Sequence, residues 1–286
     1  MNISITGLGL IGGSLAKAFK YYTENRVIGS DIDENVLDMA VGVGAIDEKA
    51  KEVPDADIYF LAMSPANTVM YLEKNAHAMK KGAIVTDVCG IKALITEKCN
   101  KVCMENGLRF VGGHPMAGRE VSGFENSVHD LFVNRSYIFT KIRQTDIKAV
   151  ETLENLVLKI GVNHITITDP KNHDRMIAFT SQLPHILAGA YMKSPTSKEH
   201  NGFSAGSYHD VSRVSSVDEN LWSELFLDNK EYLEKELEIL ESNIRKYRVA
   251  LQSNDREALL NLIKESRILK ENDRKHNGKE APHKFG

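Results

Sequence analysis

The first fourteen residues, MNISITGLGLIGGS, constrain the fold of this chain more than any other stretch. Asn2 to Thr6 is a short run of mostly apolar and β-branched residues, which is typical of a buried strand. It leads directly into Gly7, Gly9 and Gly12, which have the spacing GxGxxG. A strand, a glycine turn and a helix in this order predict the first unit of a dinucleotide-binding domain.

Each glycine has its own steric task in such a turn. Gly7 permits the tight turn, Gly9 lets the backbone approach a pyrophosphate, and Gly12 lets the helix pack closely on the strand. We expect the phosphates at the N-terminus of that helix, where unpaired N–H groups favour an anion. The expected cofactor-binding residues of the turn are therefore Gly7, Gly9, Leu10, Ile11 and Gly12.

Asp31 is the expected determinant of the cofactor type. It follows a second predicted strand, Arg26 to Ser30, and lies about 20 residues after the motif. An acidic residue there binds the two ribose hydroxyls of adenosine and repels a 2′-phosphate, which favours NAD over NADP. The alternative is that Asp31 only caps the helix beginning near Glu34, although Asp33 is the better candidate for that cap.

The order of predicted elements indicates two domains and a tail. Strands and helices alternate up to about residue 166, which predicts an α/β, Rossmann-type, mostly parallel sheet covered by helices. Beyond Asp169 the pattern is entirely helical. We therefore expect a dinucleotide-binding domain over residues 1–166, an all-α substrate and dimerisation domain over 167–270, and a flexible tail over 271–286.

A long apolar stripe in the second domain predicts a buried helix face. Its residues alternate in steps of four and three, so they share one side of a helix that must pack against something. A partner within the chain or in a second subunit would serve, and we favour a homodimer. The stripe consists of Leu233, Leu237, Leu240, Ile244, Tyr247 and Leu251.

Composition excludes several classes of protein. The 286 residues carry a formal net charge of −3, which gives no electrostatic reason for binding nucleic acid or a membrane surface. No apolar run is long enough for a membrane span, and the start does not resemble a signal peptide, so we expect a cytoplasmic protein. Cys89, Cys99 and Cys103 lack the paired spacing of a metal site and are interpreted as reduced, buried thiols.

The stretch Gly112 to Phe124, GGHPMAGREVSGF, is the second informative segment. It follows a predicted strand, Arg109 to Val111. A His followed by Pro and flanked by glycines predicts a loop that holds His114 at the edge of the sheet. A single His is more often structural than functional, but its position beside a nucleotide site favours a functional His114.

Four segments together resemble the prephenate dehydrogenase family, which includes arogenate dehydrogenases. They are GLGLIGGS near the start, HPMAGRE from His114, HDRMIAFTSQLPH from His173, and DVSRV from Asp210 with a downstream NLW. The resemblance implies a nucleotide-binding domain, an all-helical dimerisation domain and a homodimer. It also implies the oxidative decarboxylation of prephenate to 4-hydroxyphenylpyruvate with NAD, in tyrosine biosynthesis.

The resemblance implies roles for individual side chains. His114 matches the family's motif histidine and is the expected hydrogen-bond partner and base for the substrate hydroxyl. Arg213 matches the substrate arginine, whose guanidinium is suited to a carboxylate. Its alternative role is an ion pair at the domain interface. The remaining expected substrate-site residues are His185, His173, and the acidic partners of Arg213 in an ionic gate, Glu120 and Asp210.

The chain departs from the family pattern at two positions, and other functions stay open. Gly90 stands where many relatives have Ser, and Gln182 where many have His. Arogenate is the nearest alternative substrate. A β-hydroxyacid or imine-reducing dehydrogenase would share the general architecture, and a non-catalytic, NAD-binding regulatory module is the alternative outside enzymes.

Overall fold

The computed structural model describes residues 1–276, and an eight-stranded sheet is its largest element. The strands are β1 (Asn2–Thr6), β2 (Arg26–Ser30), β3 (Glu48–Lys49), β4 (Ile58–Leu61), β5 (Ile84–Asp87), β6 (Arg109–Pro115), β7 (Ser136–Thr140) and β8 (His164–Thr168). The helices are α1 (Leu10–Tyr22), α2 (Glu34–Gly42), α3 (Pro65–Asn75), α4 (Ala93–Glu105), α5 (Ile147–Lys159), α6 (Pro170–Ile177), α7 (Leu183–Met192), α8 (Gly206–Ser212), α9 (Glu219–Asp228), α10 (Lys230–Gln252) and α11 (Arg256–His276).

The strand order is β3-β2-β1-β4-β5-β6-β7-β8. Every pair from β3 to β6 is parallel, β7 is antiparallel to β6, and β8 is parallel to β7. The predicted mostly parallel sheet followed by helices is therefore confirmed. Strands β2 and β3 lie on one side of β1, and β4 and the later strands lie on the other. The carboxyl ends of β1 and β4 therefore form a topological switch point, which is where sheets of this kind bind ligands.

Helices cover both faces of the sheet because its strands are apolar on both sides. One face packs with α1, α2 and α5 into a large core, in which the rings of Phe19 and Phe60 lie 5.3 Å apart. The other face packs with α3 and α4 and includes all three cysteines, which are free thiols and buried, as expected. These two cores hold the carboxyl edge of the sheet rigidly in place.

The structure corrects the expectation that His114 lies on a loop. Strand β6 continues to Pro115, and His114 pairs with Ile138 of the antiparallel strand β7. After this segment the chain turns back, and β7 lies antiparallel beside residues Gly112 to Pro115. A segment with the sequence of a loop therefore gains the hydrogen-bond partners of a strand. His114 is therefore fixed by sheet pairing at the carboxyl end of β6.

The helical stretch that begins after Asp169 contains one wider turn. Residues Ala178–Gln182 form a π-helical segment between α6 and α7. Pro184 has no N–H to donate to a carbonyl one turn earlier, and a local π turn accommodates such a missing bond within a continuous helical path.

The described residues form two compact units, Met1–Leu233 and a second unit that begins at Glu234. The last strand ends at Thr168, but helices α6 to α9 belong to the same unit as the sheet. The domain boundary at residue 166 stays a prediction. The tail predicted over residues 271–286 also stays a prediction: α11 includes residues 271–276, and residues 277–286 lie outside the described part of the chain.

In the second unit, α10 and α11 are linked by a hydrogen bond between Tyr247 Oη and Ser266 Oγ, 3.1 Å apart. Part of the predicted apolar stripe is exposed there, with 52% of Ile244 and 63% of Leu251 accessible to solvent. No helix within residues 1–276 is long and apolar enough to cross a membrane.

Candidate functional site

The glycine turn after β1 is sterically closed around Gly7 and Gly12. Gly7 has a φ of +86°, and a Cβ there would lie 2.3 Å from the carbonyl oxygen of Ala62, just beyond β4. A Cβ on Gly12 would lie 1.8 Å from the carbonyl oxygen of Gly7. Both glycines are therefore required by the protein itself, because they let the turn and α1 approach the ends of β1 and β4.

Gly9 differs from both. It is exposed, its φ is −73°, and a Cβ there would have no protein atom within 4 Å. Gly9 is also the N-cap of α1, and no side chain caps that helix end. Open space beside uncapped N–H groups at a helix N-terminus fits a phosphate group, so the turn fits the pyrophosphate of a dinucleotide, with Leu10 and Ile11 in the first helical turn.

Asp31 lies beside this turn at the carboxyl end of β2. Its Oδ2 accepts a hydrogen bond from the N–H of Leu8 at 2.6 Å, and its Oδ1 accepts one from the N–H of Asp33 at 3.0 Å. The cap of α2 is Asp33, which accepts from the N–H of Asn35 at 2.9 Å. Asp31 is thus not the cap of that helix, and its carboxylate faces the glycine turn.

A row of three side chains joins β6 to α6. Nδ1 of His114 lies 2.9 Å from Nε2 of His173, and Nδ1 of His173 lies 2.7 Å from Oδ1 of Asp174. Asp174 also accepts hydrogen bonds from the N–H groups of Lys92 and Ala93 at the start of α4, each at 2.7 Å. The carboxylate of α6 therefore caps α4 and anchors the two imidazoles.

This geometry corrects the expected role of His173. Its side chain is fully buried, and both ring nitrogens are engaged, one by His114 and one by Asp174. No polar atom of His173 is left for a substrate, so it supports His114 from behind. His114 itself is half-buried and has its Nε2 free of the contact with His173.

A buried ion pair stands next to this row. Lys92 Nζ and Asp87 Oδ2 form a salt bridge in which both side chains are fully buried. Asp87, at the end of β5, also accepts from the N–H of Cys89 at 2.9 Å and from the N–H of Gly113 at 3.2 Å. The pair therefore ties the end of β5 to α4 and to the backbone next to His114.

Burial and the nearby Lys92 lower the pKa of both imidazoles and so favour their neutral forms. Burial lowers the pKa of His114 well below its usual range, and His173 and Lys92 lower it further. Burial also lowers the pKa of His173, against the opposing effect of its hydrogen bond to Asp174. At neutral pH His114 can therefore accept a proton.

A second group of polar side chains connects the β6–β7 loop with the helices. Arg213 forms an ion pair with Glu120, in which about half of each side chain is exposed. His185 on α7 lies close enough for both charges to act on it: burial lowers the pKa of His185, and Arg213 lowers it further. His185 Nδ1 lies 2.7 Å from the carbonyl oxygen of Ser181, and the ring packs on Trp222 with 3.8 Å between centroids.

The structure does not bring every expected site residue into this group. Within the described part of the chain Arg213 is paired with Glu120 alone, and Asp210 is exposed without an ion pair to Arg213. Gln182 is buried and structural: its Nε2 donates to the carbonyl oxygen of Leu225 at 2.9 Å, and its Oε1 accepts from Asn229 at 2.7 Å. Gln182, one of the two expected departures from the family pattern, is therefore part of the packing here.

Sequence reasoning missed four side chains of the site, namely Asp87, Lys92, Asp174 and Trp222. Asp87 ends a short apolar and β-branched run, AIVTD, that is typical of a strand, and Asp174 directly follows His173, so both had a local signal. The burial of Lys92 had none, because a Lys in a strand-to-helix loop is ordinarily exposed.

Two family models match the chain. One is described as prephenate dehydrogenase, nucleotide-binding domain, and matches residues 15–166; the other is described as prephenate dehydrogenase, dimerization domain, and matches residues 169–265.

Individual relatives agree with these matches. The chain is 32% identical to the prephenate dehydrogenase of Bacillus subtilis (strain 168) over 274 residues, covering 92% of this chain and 73% of the relative. A crystal structure of prephenate dehydrogenase from A. aeolicus, in complex with hydroxyphenyl propionate and NAD+, superposes with a TM-score of 0.85 at 27% identity, covering 95% of this chain and 98% of that one. Synechocystis arogenate dehydrogenase superposes with a TM-score of 0.80 at 26% identity, covering 95% and 99%.

Proposed function

The chain belongs to the prephenate dehydrogenase family, and we propose that it catalyses the NAD-dependent oxidative decarboxylation of prephenate to 4-hydroxyphenylpyruvate in tyrosine biosynthesis. The observation that carries this proposal is that a half-buried His114, with a lowered pKa, and the glycine turn lie at the same carboxyl edge of the sheet. A base and a dinucleotide site on one rigid sheet edge suit the removal of a proton and a hydride from one carbinol group.

His114 acts as the base in this proposal. The substrate hydroxyl donates a hydrogen bond to Nε2 of His114 and then transfers its proton there. As the carbon–oxygen double bond forms, the carbinol carbon loses its hydride. The ring carboxylate then leaves as carbon dioxide, and its bonding electrons make the ring aromatic and place a negative charge on the former hydroxyl oxygen. That phenolate takes the proton back from Nε2 of His114, which gives the 4-hydroxyphenyl group and restores the neutral base. A neutral imidazole is needed for the first step, and the depressed pKa of His114 supports that state at neutral pH.

NAD, when bound, accepts the hydride. The chain holds it through the backbone of the glycine turn, at the open space beside Gly9 and the uncapped start of α1. The carboxylate of Asp31 would accept hydrogen bonds from the adenosine ribose hydroxyls and would repel a 2′-phosphate, which favours NAD over NADP. The complex of the A. aeolicus relative with NAD+ is consistent with this choice.

Arg213 and His185 bind the carboxylates of the substrate. The guanidinium of Arg213 is half-exposed, so it can release Glu120 and bind a substrate carboxylate, or it can bind both carboxylates at once. His185 is held in one orientation by Ser181 and Trp222, and its Nε2 is free for a polar group of the substrate. The ion pair of Glu120 and Arg213 suits a gate at the entrance to the substrate site. Asp210 would join this gate only if its side chain or α8 moved towards Arg213.

The second unit serves a homodimer. Both of its helices expose large apolar side chains, and a family model described as a dimerization domain extends into it, to residue 265. Exposed apolar surface of this extent is typical of a surface that another protein covers. The exposed side chains are Ile239, Ile244, Val249, Leu251, Leu260, Ile263, Ile268 and Leu269.

The decisive experiment is an NADH absorbance assay of the purified protein with prephenate and with arogenate, each with NAD and with NADP. We expect the largest kcat/KM with prephenate and NAD. A higher kcat/KM with arogenate would identify an arogenate dehydrogenase instead. Binding of NAD without turnover of either substrate would overturn the enzymatic proposal.

A variant identifies the base. His114→Asn keeps a polar side chain but removes the proton acceptor, so kcat should fall by about 10²- to 10⁴-fold. The Kd for NAD, measured by fluorescence, should stay within about twofold. Turnover that is retained within a few-fold would exclude His114 as the base.

A further inference from the structure

We propose that His173 and Asp174 are positioning residues that hold His114 in the tautomer with its proton on Nδ1, leaving Nε2 as the proton acceptor. The chemical consequence rests on the proposed function of His114 as a base. The tautomer itself follows from the hydrogen-bond network and can be tested without substrate.

The network starts at Asp174, whose side chain can only accept hydrogen bonds when it is ionised. Its two oxygens receive the N–H groups of Lys92 and Ala93, each at 2.7 Å. Oδ1 also lies 2.7 Å from Nδ1 of His173. Two backbone N–H groups at the N-terminus of α4 therefore already donate to this buried carboxylate, which offers only acceptor oxygens to Nδ1 of His173. Nδ1 of His173 must therefore carry a proton.

The next nitrogen in the row is then an acceptor. A neutral imidazole has one N–H and one lone pair, so a proton on Nδ1 leaves Nε2 of His173 unprotonated. That atom lies 2.9 Å from Nδ1 of His114, which must supply the hydrogen. The opposite arrangement would require His173 to hold two protons in a fully buried position near Lys92, which burial disfavours.

The same reasoning places the lone pair of His114. With its proton on Nδ1, a neutral His114 has an unprotonated Nε2. The titratable groups that act on it directly are His173 on α6 and Lys92 at the start of α4. Asp174 and Asp87 lie behind these two, paired with His173 and with Lys92, and Tyr137 of β7 is opposite the neighbouring Pro115. Lys92 is neutralised by Asp87 but still disfavours a second cation nearby.

The row also stabilises the product of proton transfer. When Nε2 of His114 takes a proton, Nδ1–H stays directed at His173, and Asp174 supplies a negative charge behind it. An orienting carboxylate acts in this way on the histidine of serine proteases, without taking the proton itself. Here one more imidazole lies between the carboxylate and the base.

The direct test is nuclear magnetic resonance of the protein labelled with ¹⁵N-histidine, without cofactor or substrate. Long-range ¹H–¹⁵N spectra distinguish protonated from unprotonated ring nitrogens, and the His114→Asn variant identifies the signals of His114. We expect a neutral His114 with a protonated Nδ1 at pH 7. A proton on Nε2, or on both nitrogens, would overturn the proposal.

A pair of variants tests the role of His173. His173→Gln keeps an amide oxygen that can accept from Nδ1 of His114, whereas His173→Leu has a similar volume and no acceptor. We expect His173→Leu to lower kcat by at least about tenfold, a part of what a positioned base contributes. The KM for prephenate and the Kd for NAD should change by less than about threefold. His173→Gln should retain most of kcat and keep the proton on Nδ1.

Asp174→Asn provides the third arm, because its amide can direct N–H groups at His173 and reverse the tautomers along the row. We expect a shift of the His114 proton to Nε2 and a loss of kcat greater than that in His173→Leu. If the wild-type protein turns over and both His173→Leu and Asp174→Asn keep kcat within twofold, the positioning role is wrong. If the wild-type protein does not turn over, the proposed function fails, and the wild-type spectrum still decides the tautomer.

Discussion

Lys92 and Asp87 form an ion pair in which neither side chain has any solvent exposure. The pair joins the end of β5 to the start of α4, and Asp87 also receives the N–H of Gly113, next to His114. Buried charges are costly unless they are paired and hydrogen-bonded, and here both conditions are met. The pair thus fixes the local backbone that carries the proposed base.

We expect Lys92→Met to destabilise the protein by about 3–5 kcal/mol, because it leaves the Asp87 carboxylate buried and unpaired. Combining it with Asp87→Asn removes that charge, so the double variant should be more stable than Lys92→Met alone. Urea unfolding followed by circular dichroism measures both. Equal or greater destabilisation in the double variant would contradict this account of the pair.

Gly9 and Gly12 form a matched pair for testing the dinucleotide site. A methyl group at Gly12 would meet the carbonyl of Gly7, whereas one at Gly9 would enter open space. Gly12→Ala should therefore lower Tm, and Gly9→Ala should leave Tm nearly unchanged but raise the Kd for NAD at least about tenfold, because the methyl group occupies room for the pyrophosphate. Unchanged NAD binding in Gly9→Ala would place the phosphates elsewhere.

Arg213→Ala should raise the KM for prephenate by about 10- to 100-fold, the usual effect of losing a charged hydrogen bond of about 1.5–3 kcal/mol. Its ion pair with Glu120 is half-exposed, so Tm should hardly change. Steady-state kinetics with Glu120→Gln as the control separates two roles. If the ion pair alone mattered, the two variants would raise KM equally; a substrate role predicts the larger rise in Arg213→Ala.

Gln182→Leu should affect stability more than catalysis. The change leaves the carbonyl of Leu225 without its hydrogen bond and removes the acceptor for Asn229, and each unpaired buried group costs about 1–3 kcal/mol. We expect a lower Tm and a KM for prephenate within about threefold of the wild-type value. A large rise in KM with an unchanged Tm would instead mean that Gln182 contacts the substrate.

The pH dependence of kcat/KM should reflect the lowered pKa of His114. The base works only when neutral, and its folded-state pKa lies below the ordinary value of about 6.5. Activity should therefore persist as pH falls through 6.5 and decline only at lower pH, when the ring finally binds a proton. Profiles between about pH 4.5 and 8, with Tm recorded at each pH, check this. An acid limb centred at or above 6.5 would contradict it.

Local sequence patterns determined almost completely the strand, the glycine turn and the helix that form the proposed nucleotide site. β1, the glycine turn and α1 are contiguous, and the conformations that Gly7 and Gly12 need are properties of the backbone within a few residues. The bounds predicted for β2 are those of the structure, and Asp33 was correctly preferred as the cap of α2. Such features follow from steric limits and short-range hydrogen bonds, which act between near neighbours in the chain.

The surroundings of the proposed base were decided only by tertiary structure. His114 became part of a strand because β7 returned beside it, and its partner His173 is 59 positions further along the chain. Asp174, which contacts His173, accepts a hydrogen bond from the N–H of Lys92, 82 positions earlier in the chain. The sequence by itself indicated His114 as the candidate base. Its tautomer and basicity depend on burial and on groups that only the packing of α4, α6 and β6 brings together, because electrostatic and hydrogen-bond energies follow distance in space.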